Sequence, residues 1–270
     1  MKKLKLKSIL SITLTTLLSF SLVACGKSTE KNSSALDKIK QNKKIVLGTC
    51  ADYPPYEFHK EVNGKDTIVG LDIEIAKSVA KDLGVELEIK DMKFDGLLPA
   101  LSSGNIDFIV ASMTPTAERA KSVDFSKIYY KASQAIIVKA ENSDKFTSLE
   151  SLEGLRIGAQ KGTLQEEIAK TQIPNSKVKS LPKVTDLILA LNTDKVDAVV
   201  MEEPVAKAYA AHDKSIGLTN IKVVDEEGGS AIAVKKGSAD FVKALNETID
   251  KLQKENKIDE FVIKANELQD

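Results

Sequence analysis

The sequence is poor in the residues that build metal centres and disulfide frameworks. It has no tryptophan, two histidines (His59 and His212) and two cysteines (Cys25 and Cys50). So thin and scattered a set offers no metal-ligand cluster, and no metal or cofactor is expected. There is no excess charge of either sign either: 39 lysines and arginines face 39 aspartates and glutamates. That balance argues against a nucleic-acid partner, which calls for a basic face. The apolar and hydroxyl run from Ile9 to Val23 is too short to cross a bilayer comfortably and has the length of a signal-peptide core.

Around that run the sequence is informative. Lys2, Lys3, Lys5 and Lys7 precede it, and Leu22-Val23-Ala24-Cys25 closes it, with Gly26 after. The segment resembles a bacterial lipobox. Residues 1–24 then form a lipoprotein signal peptide, and Cys25 becomes a lipidated N-terminus. A cysteine at the cleavage point has no purpose in plain secretion. Loss of residues 1–24 removes four lysines and no acid, so the formal charge moves from 0 to 35 − 39 = −4. With Cys25 lipidated, Cys50 has no disulfide partner and the fold must rest on its core. Residues 25–36 read as the lipidated cysteine and a flexible tether. The folded part, about 235 residues from Ala35, suits two lobes better than one.

From there the chain alternates strands and helices. Lys44–Thr49 is a short buried strand, followed by the proline-stiffened turn Ala51 to Phe58 and a hairpin turn at Asn63-Gly64. Residues 70–84 read as a helix with Ile73, Ala76, Val79, Ala80 and Leu83 on one stripe and Gly84 as its stop. Val85 to Lys90 is a strand, Phe94 to Leu101 a helix and Asn105 to Val110 a strand, which gives β-α-β-α-β and an open α/β lobe. Gln134 to Val138 is a further strand, and residues 148–154 a turn-rich helical piece. The same grammar then repeats. Arg156 to Ala159, Lys177 to Leu181 and Val196 to Met201 are strands; Leu164 to Lys170, Lys183 to Asn192 and Val205 to Ala211 are helices. Gly228-Gly229 leads a returning strand, and helices at 241–253 and 259–268 pack back on the first lobe.

The stretch Ile109 to Ser126 draws the pattern together. A strand end passes through small hydroxyl residues and Pro115 into a short helix, with Thr116 as its N-cap. Arg119 falls in the first turn, where a cation opposes the helix dipole. An anionic ligand would compensate, and free amides, a hydroxyl and a guanidinium together suit a carboxylate.

With these pieces in place the chain resembles the polar amino acid family (family 3) of solute-binding proteins of ABC importers. The resemblance covers about 225 residues from Ile45. It rests above all on Gly70-Leu71-Asp72-Ile73-Glu74-Ile75 with Val79-Ala80 and Leu83. Tyr53-Pro54-Pro55-Tyr56-Glu57-Phe58, Phe94-Asp95-Gly96-Leu97, Thr116-Ala117-Glu118-Arg119, Asp124-Phe125-Ser126, Gln160-Lys161-Gly162-Thr163 and Glu202-Glu203-Pro204-Val205 support it. It implies a two-lobed α/β fold of the periplasmic-binding-protein-like type II, each lobe an open, mostly parallel sheet flanked by helices, joined by two crossover strands. Lobe 1 would be residues 37–132 and 229–270, lobe 2 residues 133–228. The lobes would close on an amino acid delivered to the permease and ATPase subunits of the importer. A lipid anchor on the outer face of the cytoplasmic membrane fits a Gram-positive cell, and a monomer is expected.

The resemblance also implies site residues. Arg119 would grip the ligand α-carboxylate, completed by Thr114 and backbone amides near Thr114 and Leu164. Glu202 would meet the α-ammonium with the Ala111-Ser112 pair. Tyr53 and Phe94 would sandwich the ligand side chain, while Gln160 and Gln165 line its far side and Met113 and Thr163 complete the wall. Family members often carry serine where Ala111 stands and aspartate where Glu202 stands, which leaves the charges in place. Binders of basic ligands often carry an acid at the position of Cys50; Asp52 is near enough to substitute. The reading leans to a basic amino acid, arginine first, with glutamine and cystine behind. A dehydratase on the same fold, using Glu202 or Glu203 as acid, is a rival that lacks a second catalytic group. A sensor module is another, against which stands the absence of a membrane helix after Asp270.

Overall fold

The computed structural model describes residues 34–225 and 228–269, so the signal peptide and the lipidated Cys25 lie outside the described residues. The first element, α1 (Ala35–Asn42), was not anticipated. Ser34 and Asp37 close a capping box at its start, and Ile39 is its buried contact. After it come β1 (Lys44–Thr49), β2 (Asp52–Tyr53), β3 (Glu57–Val62), β4 (Lys65–Val69), α2 (Leu71–Leu83), β5 (Glu86–Asp91), α3 (Phe94–Ser103), β6 (Phe108–Ile109) and β7 (Val123–Tyr130). A second series comprises β8 (Gln134–Lys139), β9 (Arg156–Gln160), α4 (Leu164–Thr171), β10 (Lys177–Leu181), α5 (Val184–Asn192), β11 (Ala198–Glu202), α6 (Glu203–His212) and β12 (Ile216–Leu218). The chain ends with β13 (Ser230–Lys235), α7 (Ala239–Lys254) and α8 (Lys257–Glu267).

Each of the two lobes is built on a five-stranded sheet, ordered β5-β1-β6-β13-β7 in the first and β10-β9-β11-β8-β12 in the second. Three neighbouring strands of each are parallel, and β13 or β8 runs against its neighbours on both sides. The reversed strand in each lobe is therefore the one the chain enters on arriving from the other lobe. Strands β2, β3 and β4 form a small antiparallel sheet beside the first.

Two predicted pieces come out shorter. Residues 148–154 hold a single 3-10 turn, Glu150–Leu152, and the strand expected over 105–110 pairs only at Phe108–Ile109. Strands β7 and β12 were not predicted, because their partners β13 and β8 are distant in sequence or arrive from a crossover.

The α2 stripe is buried as expected at Ile73, Ala76, Val79 and Ala80, and Gly84 ends the helix in the left-handed region. Phe108 and Phe241 are fully buried with ring centroids 6.3 Å apart, tying α7 to the first sheet. Burying side chains of this size contributes about 1.5–3 kcal/mol each. Two glycines are fixed by geometry. Gly70 sits at φ 129°, where a Cβ would lie 2.2 Å from the Tyr56 carbonyl oxygen. That contact exists because Pro55 and Tyr56 accept the first amides of α2, from Leu71 at 3.0 Å and Asp72 at 2.9 Å. Gly229, at φ 122°, lets the second crossover pass the Tyr130 carbonyl.

Candidate functional site

The carboxyl ends of β1, β6, β9 and β11 converge on one cleft between the lobes, as open α/β sheets favour. Tyr53 leaves β2 with its ring stacked on Tyr56, centroids 5.8 Å apart. Its hydroxyl accepts a hydrogen bond of 3.0 Å from the Glu202 amide of the opposite lobe. Phe94 opens α3, and the Arg119 guanidinium carbon lies 5.4 Å from its ring centroid.

The Thr116 hydroxyl accepts from the Arg119 amide at 3.2 Å, but Thr116 is not the N-cap expected of it: that position belongs to Glu118, because the helix starts only at Arg119. That helix is one 3-10 turn, Arg119–Lys121, too short to carry a macrodipole. The expected conflict between Arg119 and a helix dipole therefore does not arise. The guanidinium is held by backbone oxygens instead: it donates to the Thr114 carbonyl at 2.7 Å and to the Gly162 carbonyl of the second lobe at 2.9 Å. These fix its plane across the cleft.

Ser112 is the hub of the floor. It adopts φ 45°, rare for a residue with a side chain. Asp72 stabilises that conformation by accepting the Ser112 amide at 2.7 Å. The Ser112 hydroxyl donates to Glu202 Oε1 at 3.0 Å and lies 3.0 Å from the Ser230 hydroxyl. Asp72 also accepts from the Tyr129 hydroxyl at 2.8 Å.

Carboxylates dominate the interior. Glu57, Asp72 and Glu202 are all buried. Burial pushes Glu202 up to about 7, partly offset by interaction with the Tyr56 hydroxyl and then the Ser112 hydroxyl. Burial likewise pushes Asp72 up to about 6, against the Ser112 and Tyr129 bonds. Glu57 is raised well above the usual carboxylate range, first by burial and then by the charge of Asp72. Among the described residues, Tyr56 Oη, Glu57 Oε2 and Glu202 Oε2 are buried without a well-formed hydrogen bond, although Tyr56 adjoins Glu202 and Glu57 adjoins Asp72. Such atoms are costly to bury and mark a place where a donor is missing.

With the lobes together the cleft keeps a cavity of only about 10 Å³, so an amino acid could enter only if the lobes part or lining side chains move. Of the residues named from the sequence, Tyr53, Phe94, Ala111, Ser112, Thr114, Arg119, Gln160, Thr163, Leu164 and Gln165 line it together. Glu202 adjoins it through Ser112. Met113 lies in the core behind the wall. Asp52 is not among the lining residues; its carboxylate accepts the Val184 amide at 2.9 Å in an interlobe contact, and its other oxygen adjoins Cys50 and Gln160 of the lining. Glu57 and Cys50 line the cleft as well. Glu57 was missed as a site residue, although its place in Pro55-Tyr56-Glu57 was the available signal. Cys50 is buried, and burial followed by the charge of Asp52 raises its thiol far above the usual range. Thr163 caps α4 by accepting the Glu166 amide, and Gln165 donates to Gln134 at 2.9 Å. A larger open groove of about 760 Å³ runs between α6 and α8, but none of those three oxygens lines it.

A cleft between two lobes, lined by a fixed guanidinium and buried carboxylates, has the chemistry to pair both charges of a small zwitterion. Comparison with known proteins gives the same class. An arginine-binding extracellular protein of Bacillus subtilis is 38% identical over 239 residues, covering 86% of this chain and 89% of that protein. A substrate-binding protein of an amino acid ABC transporter from Streptococcus pneumoniae, solved bound to L-arginine, is 37% identical with a TM-score of 0.84. That match covers 87% of this chain and 98% of the other. An ancestral amino acid-binding protein, described as a precursor of cyclohexadienyl dehydratase, is 34% identical with a TM-score of 0.76, covering 86% and 98%. Residues 45–265 match the family model as a whole, and with the two lobes and their cleft this establishes that the chain belongs to the bacterial extracellular solute-binding proteins, family 3.

Proposed function

We propose that this protein captures a basic L-amino acid, arginine first, between its two lobes and delivers it to an ABC importer. One observation carries the basic preference: two buried carboxyl groups, Glu57 and Glu202, each keep an oxygen without a well-formed hydrogen bond and lie outside the ion pairs found among the described residues. A basic amino acid brings two cations and one carboxylate. Its α-ammonium would meet Glu202, its side-chain cation Glu57, and its carboxylate the Arg119 fork with Thr114 and the amides near Leu164. Tyr53 and Phe94 would flank its stem, and Gln160, Thr163 and Gln165 would close the far side. A neutral ligand such as glutamine would leave Glu57 without a cation. Burial favours the neutral carboxyl of Glu57, and only a ligand with a side-chain cation would draw out its ionised, paired form.

In this reading the lobes are residues 37–132 with 229–270, and residues 133–228. Ligand contacts both only when they meet, so binding shifts the population towards closure. On this reading the protein acts as a binding monomer rather than an enzyme, in keeping with the binding proteins of amino acid transporters it is similar to. It is tethered outside the cytoplasmic membrane through lipid on Cys25.

A thermal-shift screen against the twenty amino acids, cystine and ornithine, after unfolding and refolding to strip carried-over ligand, tests this. Ligand at a hundred times its dissociation constant adds about 2.7 kcal/mol of stability. Arginine should give the largest rise, and Glu57→Gln should reduce the rise for arginine more than for glutamine. A rise confined to neutral ligands would overturn the basic preference. Turnover of prephenate or arogenate would restore the dehydratase reading.

A further inference from the structure

Helix α5 begins without a cap of its own. Its N-cap residue, Lys183, makes no side-chain hydrogen bond to the first turn, and a lysine has no acceptor to offer. The acceptor comes from the other lobe. Asp52 Oδ2 takes the Val184 amide at 2.9 Å, and Oδ1 accepts from Gln160 Nε2 and Cys50 Sγ, both at 3.4 Å. The same short strand is gripped twice more by the second lobe. Tyr209 donates to the Asp52 carbonyl at 2.9 Å, and the Glu202 amide donates to the Tyr53 hydroxyl at 3.0 Å. Asp52 is buried but lies outside the cleft lining, where Glu57 stands instead.

We propose that Asp52 is a closing residue and not a ligand contact: its carboxylate caps helix α5 of the opposite lobe when the lobes meet, favouring closure whichever amino acid is inside. The inference rests on the two-lobed capture reading above. When the lobes part, water must serve both the carboxylate and the bare helix amides. When they meet, an anion reaches the positive end of a nine-residue helix in a water-poor seam, where such a bond is stronger. A contact of this kind acts equally on every ligand, so Asp52 sets residence time and leaves selectivity to the cleft.

The test pairs both ends of the bond. Asp52→Ala removes the acceptor. Val184→Pro removes the donor while suiting the first helical position, and Lys183 at φ −122°, ψ 143° already has the backbone a following proline requires. In stopped-flow release experiments on the full chain, each variant should speed ligand departure about fivefold. The factor should be the same for arginine, lysine and any neutral ligand that binds. The double variant should be no faster than Asp52→Ala alone, and Asp52→Asn should have the smaller effect. Without ligand, X-ray scattering should show a larger radius of gyration for Asp52→Ala than for wild type. A loss confined to ligands with cationic side chains, or a Val184→Pro variant that releases ligand at the wild-type rate, would overturn the proposal. If wild type bound no amino acid, the capture reading would fall separately, and an unchanged ligand-free radius of gyration would sink the closing role on its own.

Discussion

Arginine stands at two positions in this chain, 119 and 156, although 39 residues are lysine or arginine. Lysine is the default cation here, so each arginine marks a need for the planar fork. Arg156 spends its fork on Asp197 at the sheet end. Arg119 is held by carbonyls from both lobes beside the cleft. Arg119→Ala should weaken ligand binding roughly a hundredfold or more, since a buried carboxylate would lose its cation. The fold should survive; equilibrium titration with parallel circular dichroism separates the two effects, and retained affinity would refute the assignment. The setting of Arg119 was legible because Thr116, whose hydroxyl takes the Arg119 amide, and a strand end framed it. Glu57 was hidden because β3 buries Glu57 and Phe58 in succession before turning His59 outward, so alternation gives no warning of a buried acid. Glu202 makes a pH prediction. Its carboxyl is raised to about 7 by burial, so the empty closed form holds a proton below that pH. That contribution to stability is fully present below the ordinary value near 4.5 and is lost as pH rises through 7. A ligand ammonium favours the charged form, so binding should release a proton, and affinity should fall by up to about tenfold per unit as pH drops below 7. Calorimetry in two buffers of different ionisation enthalpy reads that proton directly.

At the scale of elements, the N-terminus of α2 shows how the fold sets the site. Its first amides are satisfied by the carbonyls of Pro55 and Tyr56, so the helix holds the turn that presents Tyr53 and Glu57. Gly70 permits this approach. Gly70→Ala should destabilise the protein by about 1–3 kcal/mol and weaken ligand binding as well. The same change at Gly96, which has open space within α3, should be neutral or mildly stabilising. Denaturant titration of both variants checks the contrast. Helices with a strong stripe and a glycine stop were readable from sequence, as α2 was. Strands β7 and β12 were not, because pairing with β13 and β8 is decided by chain segments that only the finished sheet brings alongside.

For the whole molecule, the two sheets share one order and one reversed strand, so the chain exchanges lobes twice through equivalent positions. The repeated strand-helix grammar foretold two lobes, and the glycine pair at 228–229 foretold the return. The interlobe bonds were not foretold, since Asp52 with Val184 and Asp95 with Lys161 depend on how the lobes face each other. Cys50 sits on that seam, 3% exposed and walled by both lobes. An alkylating reagent can reach its sulfur only during excursions that part them. The thiol is thus a natural clock for breathing of the molecule: its labelling rate, followed by mass spectrometry to distinguish it from Cys25, counts opening events without any attached probe. Saturating arginine should slow that clock at least tenfold, and labelling indifferent to ligand would mean that the lobes do not gate the cleft.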